Sequence, residues 1–381
     1  MPEVSEQIEL KKSALDEMHR RLGAELLERD GWLLPASYGD VAGEYAAVRA
    51  GGAGLIDLSQ RARIRVSGTE AVMFLNGLVT NDVKTLEAGA WMPAAFPNVQ
   101  GRLLAHVRIL HVADGFLFDT EARTREAVLK TLERFTLAGD FRVSDVTEEI
   151  VTVSVQGAGA AGIVNEVLGE EASGVAQGRV AGVEWNGQPV TAIRATHTAE
   201  DGFDLFASAA QAQALWDALI TAGAKPVGFE ALEILRVEAG LPRFGVDIDE
   251  TNVVLETGLD EAVSFTKGCY IGQEIIARIH WRGHVAKRLA GIMVDEDDAI
   301  QSGDKVRAVD GKEIGRVTST VHSPELKRRV ALGIIKYDYL VPGTQVTIIS
   351  NEKEHPAHIA SLPFVRGSWD AQASTEPETG A

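Results

Sequence analysis

The chain contains 381 residues, of which 45% are hydrophobic and 24% are charged, and this composition is typical of a globular protein. A chain of this length exceeds one ordinary hydrophobic core, so two or three domains are expected. The formal net charge of −18 argues against nucleic acid or an anionic membrane as the main partner, because both bind positive surfaces. The single cysteine excludes a disulfide framework and cannot hold a zinc ion or an iron–sulfur cluster by itself.

The first residues carry acidic side chains and are not followed by the apolar stretch of a signal peptide. The sequence also contains no run of about 18 apolar residues, the length that a membrane-spanning helix requires. We therefore expect a cytoplasmic protein.

Apolar residues at helical spacing occur among many charges in residues 5–29. This pattern predicts an amphipathic helix, which we interpret as an arm docked on the rest of the protein. Residues 31–58 are rich in glycine and turn signals. The elements predicted after them are a strand over 61–67, a helix over 69–79, two strands within 102–119 and a helix over 122–137.

A second group of strands and helices begins at residue 150. Its predicted elements are a strand over 150–156, a helix over 160–168, paired strands up to about residue 207, and helices over 208–222 and 228–240. This order is typical of an α+β, ferredoxin-like unit. Short alternating strands between about 286 and 365, separated by glycine and proline turns, predict a small β-barrel or sandwich. The low-complexity tail from residue 371 is predicted to be disordered.

Two further patterns give weak predictions. Residues 157–162 satisfy the GxGxxG pattern of dinucleotide-binding sites. Such a fold needs further parallel βαβ units, and only one is seen, so a turn that requires small residues is favoured. His280 and His284 have the i,i+4 spacing of a metal pair. Their segment is predicted to be a strand or loop, and no metal site is expected.

The lone cysteine, Cys269, lies in the stretch Lys-Gly-Cys-Tyr-Ile-Gly-Gln-Glu that begins at Lys267. The two glycines indicate a tight backbone path, because glycine adopts positive φ without a steric cost. The nearby cations Lys267, Arg278 and His280 favour a thiolate, so the motif indicates a reactive, accessible thiol. The alternative is a small apolar residue at the tip of a turn, since free cysteine usually behaves as a buried hydrophobe.

This stretch resembles the signature of the YgfZ family, folate-binding proteins linked to iron–sulfur cluster assembly and repair. That family is similar to the T-protein of the glycine cleavage system, a tetrahydrofolate-dependent aminomethyltransferase. The resemblance extends, with gaps, from about Gly31 to about Phe364.

The resemblance implies an α+β fold in which three domains form a ring around a central folate pocket, with ferredoxin-like α/β units and a small C-terminal β-barrel. The expected parts are a helical arm (1–30), a first folate-binding domain (31–149), a second domain with the signature (150–285, interleaved with the first), the barrel (286–370) and a disordered tail (371–381).

The resemblance also implies residues of the folate site. Asp82, in Leu-Val-Thr-Asn-Asp-Val, matches the aspartate that faces the reactive end of folate; by itself the segment indicates a turn or a helix cap. A carboxylate there can stabilise developing positive charge or move a proton, so Asp82 is a candidate catalytic residue beside Cys269. Asn98 is expected beside the pterin, and Arg102 is expected either at the anionic tail of folate or in an ion pair.

Glu200, in Ala-Glu-Asp-Gly-Phe-Asp, matches the glutamate that accepts two hydrogen bonds from the pterin. Asp-Gly alone predicts a hairpin turn, and Ala199 and His197 replace a glycine and a tyrosine of the T-protein motif. Arg236, in Leu-Arg-Val-Glu-Ala-Gly, matches an arginine that faces the pocket and is expected to bind folate carboxylates or the region of Asp82. Its helix ends at a glycine, as ordinary C-capping requires.

The signature departs from the T-protein at two places. Gln273 replaces an arginine, and residues 258–262 lack the tryptophan expected before the signature. The leading hypothesis is therefore a tetrahydrofolate-binding YgfZ-like protein that supports iron–sulfur cluster assembly or repair, with iron–sulfur client proteins as partners and Cys269 as its functional thiol. One alternative is a tetrahydrofolate-dependent aminomethyltransferase that works with a lipoylated carrier protein. The other is a non-catalytic scaffold that retains the folate pocket.

Overall fold

The computed structural model of the protein describes residues 10–295 and 300–369. The strands are β1 (Lys11–Lys12), β2 (Glu25–Arg29), β3 (Trp32–Ser37), β4 (Gly54–Asp57), β5 (Ala62–Ser67), β6 (Trp91–Pro97), β7 (Leu103–Val112), β8 (Gly115–Thr120), β9 (Arg142–Asp145), β10 (Ile150–Gln156), β11 (Val180–Trp185), β12 (Gln188–Arg194), β13 (Gly202–Ser208), β14 (Lys225–Pro226), β15 (Lys287–Val294), β16 (Lys305–Ala308), β17 (Glu313–Ser323), β18 (Arg328–Lys336), β19 (Gln345–Ser350) and β20 (Lys353–Ala360). The α-helices are α1 (Asp16–Arg21), α2 (Val41–Arg49), α3 (Ala71–Leu78), α4 (Arg125–Glu133), α5 (Ala160–Leu168), α6 (Glu170–Ser173), α7 (Ala212–Thr221), α8 (Phe229–Glu238) and α9 (Gln273–Arg282).

The first large sheet is antiparallel, with the strand order β6-β7-β8-β5-β9. In β5, Ile64 and Val66 are buried in its core, whereas Arg65 between them is exposed, as period-two alternation requires. Helices α3 and α4 contribute Leu75 and Leu132 to the same core.

The second large sheet has the order β11-β12-β13-β10-β4-β14. Strand β4 precedes the first sheet in the chain, yet it pairs antiparallel with β10, and β14 adds to β4 in parallel. The chain therefore contributes to the second sheet both before and after it builds the first. Trp216 of α7 is fully buried against this sheet.

The helix predicted over residues 5–29 is wrong for the described residues 10–29. Only α1 is helical there, and Gly23, at φ 77°, follows its end. Strands β2 and β3 form a hairpin whose turn carries Asp30 and Gly31, both at positive φ. The Asp-Gly pair favours such a turn, and this local signal outweighs the helical spacing of the leucines.

The six strands β15–β20 form a closed barrel in the order β15-β18-β17-β16-β19-β20. The predicted α+β class and C-terminal barrel are therefore confirmed. The predicted disordered tail, 371–381, lies outside the described residues. Within the part of the chain that the structure describes, no helix has the length and apolar character needed to cross a membrane.

Two helices connect these parts. Helix α8 contacts α2, the N-terminal strand β3 and the barrel strands β17 and β18. Helix α9 includes His280, so the strand or loop predicted for this segment is wrong as far as Arg282, whereas His284 lies in the loop that follows. The helix begins after Gly272, at φ 79°, where a Cβ atom would lie 2.4 Å from the backbone oxygen of Asn98. Only glycine fits this close approach.

Candidate functional site

A cavity of 650 Å³ is lined by the N-terminal hairpin, both large sheets, α8, the segment 258–262 and the residues that follow the barrel. This volume is within the usual range for a cofactor or small-molecule site. The charged residues of its lining are Arg29, Asp30, Arg61, Arg108, Glu121, Glu233, Arg236, Arg243, Asp260 and Glu261.

The two sheets meet at the cavity through a chain of buried charges. Arg108 of β7 donates from Nε to Asp119 Oδ2 at 2.8 Å, and its Nη1 lies 2.6 Å from Asp204 Oδ2. Asp119 also accepts from Arg61 at 2.7 Å, and Asp204 lies 2.9 Å from His197 Nε2. These cations overcome the effect of burial: they lower the pKa of Asp119 to about 2 and hold the pKa of Asp204 far below its usual range.

Another arginine, Arg29, lies in the N-terminal hairpin at the cavity. The guanidinium of Arg29 is 4.5 Å from the centre of the Phe229 ring. Burial and the charge of Arg243 lower the pKa of Arg29 to about 10, so it stays charged at neutral pH. Burial also raises the pKa of Glu121, and the charges of Arg61, Arg243 and Arg29 oppose this shift.

His106 is expected to make the protein less stable in mild acid. Burial, with Arg61 and Arg108 nearby, lowers the pKa of His106 from 6.5 to about 4. Between pH 6.5 and 4 the unfolded chain binds the proton and the folded protein does not, so stability falls as pH falls through this window. The free energy of unfolding should decrease by about 2 kcal/mol between pH 7 and pH 5 through this group alone. Denaturant unfolding at both pH values, with His106→Gln, checks this: an equal decrease in the variant would contradict it.

The structure places Asp82 at the start of a 3₁₀ turn, Val83–Thr85, where one oxygen accepts from the backbone nitrogen of Lys84 at 3.2 Å. Its neighbour Asn81 donates from its side-chain amide to the backbone oxygens of Pro93 and Glu261, which both line the cavity. Asp82 itself does not belong to the cavity lining, but its loop is attached to the cavity wall through Asn81.

Lys267 of the signature holds the Asp82 loop through hydrogen bonds to backbone oxygens. Its buried ammonium donates to the backbone oxygens of Asn76, Val79 and Asn81 at 2.8, 2.8 and 2.6 Å. Burial lowers the pKa of Lys267 to about 8, and the charge of Asp82 opposes this shift. The lysine therefore satisfies carbonyl groups at the end of α3 and links the signature to Asp82.

Asn98 and Arg102 lie on one turn near the start of α9. The side-chain oxygen of Asn98 accepts from the backbone nitrogens of Gln100 and Arg102 at 2.9 and 3.0 Å, so this oxygen shapes the turn. Arg102 is exposed, and neither residue belongs to the cavity lining.

Glu200 is buried behind the cavity lining, next to Ala199, which does line the cavity. Its Oε1 accepts from Arg49 Nη1 at 2.9 Å, and its Oε2 accepts from the backbone nitrogen and the hydroxyl of Ser368 at 2.8 and 2.6 Å. Glu200 therefore binds α2 and the end of the described chain.

Ala199, before Glu200, adopts a left-handed conformation with φ 64°. A residue with a Cβ atom costs about 1–2 kcal/mol in this region, which glycine avoids. We expect Ala199→Gly to raise the free energy of unfolding by about 1 kcal/mol, measured in urea. Ala222→Gly, at an ordinary φ of −73°, is the control and should lower it. A decrease for Ala199→Gly as well would contradict the strain.

Arg236 lies at the junction of α8, the cavity and the barrel. Its Nη1 donates to Asp247 at 2.5 Å and its Nη2 donates to Ser319 of β17 at 2.6 Å, and it also pairs with Glu233. These anions raise the pKa of Arg236 further, so it is permanently charged. It lines the cavity while already holding α8 to the barrel.

Cys269, whose exposure the sequence left open, is exposed but does not line the cavity. The cations predicted near it have other partners: Lys267 binds the three carbonyl groups, and Arg278 pairs with Glu274 at 2.8 Å. His280 stacks on Phe265 with the ring centres 3.6 Å apart. The thiol is therefore accessible, and these three neighbours contact groups other than the thiol.

The two weak patterns have structural explanations. A Cβ atom on Gly157 would lie 2.3 Å from the backbone oxygen of Gly52, so small residues are required where this turn crosses the start of β4. His284 stacks on Tyr337, away from the partner of His280. Within the described ranges no group of three potential metal ligands occurs.

Several residues at the cavity escaped the sequence analysis. Arg108 lines the cavity and Arg49 lies behind it, both on elements that show no motif. Asp204 ends the motif of Glu200, but only its burial and its contacts with Arg108 and His197 indicate a role. Ser368 and Trp369 lie beside the segment that was predicted to be disordered. His197 was noted only as a replacement for tyrosine, and its pairing with Asp204 links two positions of one hairpin.

Known proteins resemble this chain over nearly its whole length. The GCVT N-terminal domain matches residues 15–267, and the glycine cleavage T-protein C-terminal barrel domain matches residues 287–366. An aminomethyltransferase of Rubrobacter xylanophilus is 33% identical over 375 residues, covering 98% of this chain and 97% of its own. One from Geobacillus kaustophilus is 32% identical over 364 residues, covering 94% and 99%. The crystal structure of aminomethyltransferase T of the glycine cleavage system from Bartonella henselae matches with a TM-score of 0.86 at 26% identity, covering 94% of this chain and 98% of its own.

Proposed function

The chain belongs to the family of the glycine cleavage T-protein, and on that premise we propose that it binds tetrahydrofolate in the 650 Å³ cavity and transfers an aminomethyl-derived one-carbon unit to it. We therefore favour the aminomethyltransferase over the YgfZ-like protein that the sequence analysis had put first, because the similar proteins are named aminomethyltransferases. The iron–sulfur role of a YgfZ-like protein receives no such support.

The observation that carries the proposal is the arginine-rich lining of one cavity with aromatic walls. Arg29, Arg236 and Arg243 line it together with the aromatic residues Phe229 and Trp369. Guanidinium groups suit carboxylates, and aromatic rings suit a flat heterocycle. Folate contains both chemical features.

Tetrahydrofolate, when bound, supplies the nitrogen that accepts the one-carbon unit. The carboxylate of Asp82 is proposed to stabilise the positive charge that develops at the transferred carbon, since one of its oxygens is used by Lys84 and the other has no backbone donor among the described contacts. Lys267 keeps the loop of Asp82 in place. The arginines hold the anionic end of the ligand. The partner that delivers the unit is proposed to be a lipoylated carrier protein.

A second candidate is the YgfZ-like function, and the exposure of Cys269 favours it. An aminomethyl transfer at Asp82 needs no thiol outside the cavity. Cys269→Ser should therefore leave ammonia release unchanged under the first proposal, whereas a YgfZ-like function would require the thiol.

The test of the proposed function measures tetrahydrofolate binding by calorimetry and ammonia release from an aminomethyl-loaded lipoyl carrier, with and without tetrahydrofolate. Binding with folate-dependent release supports the aminomethyltransferase. Binding without release, from folded protein, favours the thiol-dependent function. Absence of binding overturns both and leaves the scaffold hypothesis.

A further inference from the structure

The segment that follows the barrel returns to the loop of Glu200. After β20, the backbone nitrogens of Phe364 and Val365 donate to the oxygen of Glu238 at 2.8 and 3.1 Å, which fixes the segment against the end of α8. Leu362 and Phe364 also pack on the apolar cluster of Val237. The segment is therefore anchored before it reaches the cavity.

Residues 367–369 then dock on the loop 198–201. The backbone nitrogen of Asp201 donates to the hydroxyl of Ser368 at 2.9 Å, and the backbone nitrogen of Trp369 donates to the oxygen of Ala199 at 3.2 Å. A Cβ atom on Gly367 would lie 2.3 Å from that same oxygen, so the two backbones touch. Residues 367–369 are therefore held on the loop 198–201 by two hydrogen bonds and a close backbone contact.

The docking occupies most of the hydrogen-bond acceptor positions of the Glu200 carboxylate. A carboxylate has about four acceptor positions, two on each oxygen. Ser368 occupies both positions on Oε2, and Arg49 occupies one on Oε1. A heterocycle that approaches with two parallel donors needs a free position on each oxygen, and Oε2 has none while Ser368 is bound. Glu200 is also absent from the cavity lining, whereas Trp369 belongs to it.

We propose that Trp369 is a ligand-contacting residue of the cavity, and that Glu200 acts on the ligand indirectly, as a positioning residue that holds Trp369 in the wall through Ser368. Trp369 lines the same cavity as the segment 258–262 and Ala199. A flat heterocycle gains most from an aromatic wall of this kind when the ring is fixed in advance. The inference rests on the proposed function, because it assigns a residue to the folate that the cavity is proposed to bind.

The test compares the dissociation constant of tetrahydrofolate, measured by calorimetry, in the full chain and its variants. Trp369→Ala is expected to raise it roughly 5- to 100-fold, the range for removal of one stacked aromatic ring. Trp369→Phe should restore most of the affinity. If Trp369→Ala and Trp369→Phe have the same unfolding midpoint, a merely structural role of the side chain would not explain this difference in affinity. Trp281→Ala, at a tryptophan that is 69% exposed and outside the cavity lining, is the matched control and should bind as the wild type does.

Ser368→Ala separates positioning from direct recognition by Glu200. The variant keeps the backbone donor but loses the hydroxyl, so a several-fold weaker affinity is expected, whereas Ser361→Ala, at an exposed serine, should have no effect. Tighter binding in Ser368→Ala or Trp369→Ala would overturn the inference, because the segment would then compete with the ligand. Unchanged binding in Trp369→Ala would overturn it too, while the proposed function would stand. A wild-type protein that does not bind tetrahydrofolate would overturn both.

Discussion

Replacing Asp82 with asparagine is expected to reduce folate-dependent ammonia release by roughly 10²- to 10³-fold, the usual cost of removing one group that stabilises transition-state charge. Asparagine keeps the size of the side chain and can still accept from the backbone nitrogen of Lys84. The loop also remains held by Lys267 and Asn81. Tetrahydrofolate affinity should therefore change little, and the loss should fall on kcat.

Asp310 offers a matched control for this substitution. It accepts from the backbone nitrogen of Lys312 at 3.0 Å, two residues on, as Asp82 accepts from that of Lys84, but it is exposed on the barrel. Asp310→Asn should leave ammonia release unchanged. Full activity in Asp82→Asn would remove Asp82 from the mechanism, and an equal loss in both variants would indicate damage to the turns rather than to the chemistry.

Replacing Asp119 with alanine is expected to lower the free energy of unfolding by about 3–5 kcal/mol, measured by urea denaturation at pH 7. Asp119 is fully buried and accepts from Arg61 and Arg108. Its removal leaves the guanidinium groups of Arg61 and Arg108 with the carboxylate of Asp204 as the remaining counter-charge. One buried positive charge is then uncompensated, which destabilises the folded protein. The variant should also loosen the junction of the two sheets, because Arg108 links β8 to β13.

The exposed pair of Arg65 and Asp114 is the control for that experiment. Its atoms are 3.8 Å apart with side chains 44% and 79% exposed, so Asp114→Ala should change stability by less than about 1 kcal/mol. A loss below about 1 kcal/mol for Asp119→Ala would mean that the two arginines gain enough hydration through the cavity to stand alone.

Local patterns predicted much of the fold correctly. The strand over 61–67 and the helix over 160–168 follow from hydrophobic periodicity, and the barrel follows from short strands between glycine and proline turns. The N-terminal region shows the limit of this reasoning. There the leucines have helical spacing, but the Asp30-Gly31 turn favours a hairpin in which β2 pairs with β3.

The sequence by itself determined the resemblance to the T-protein family, through words such as Thr-Asn-Asp-Val. The word Lys-Gly-Cys-Tyr instead favoured a YgfZ-like function, and the exposure of Cys269 was left to the structure. The folate-site roles of Asp82, Asn98, Arg102, Glu200 and Arg236 stay predictions that ligand binding has to test. Only the tertiary structure decided which groups surround the cavity. Pairing of β4 with β10 joins residues 96–102 positions apart, and the return of the chain to Glu200 after the barrel joins residues 168 positions apart. Hydrogen bonds and buried ion pairs of that kind depend on distance in space, and no local pattern in the chain encodes it.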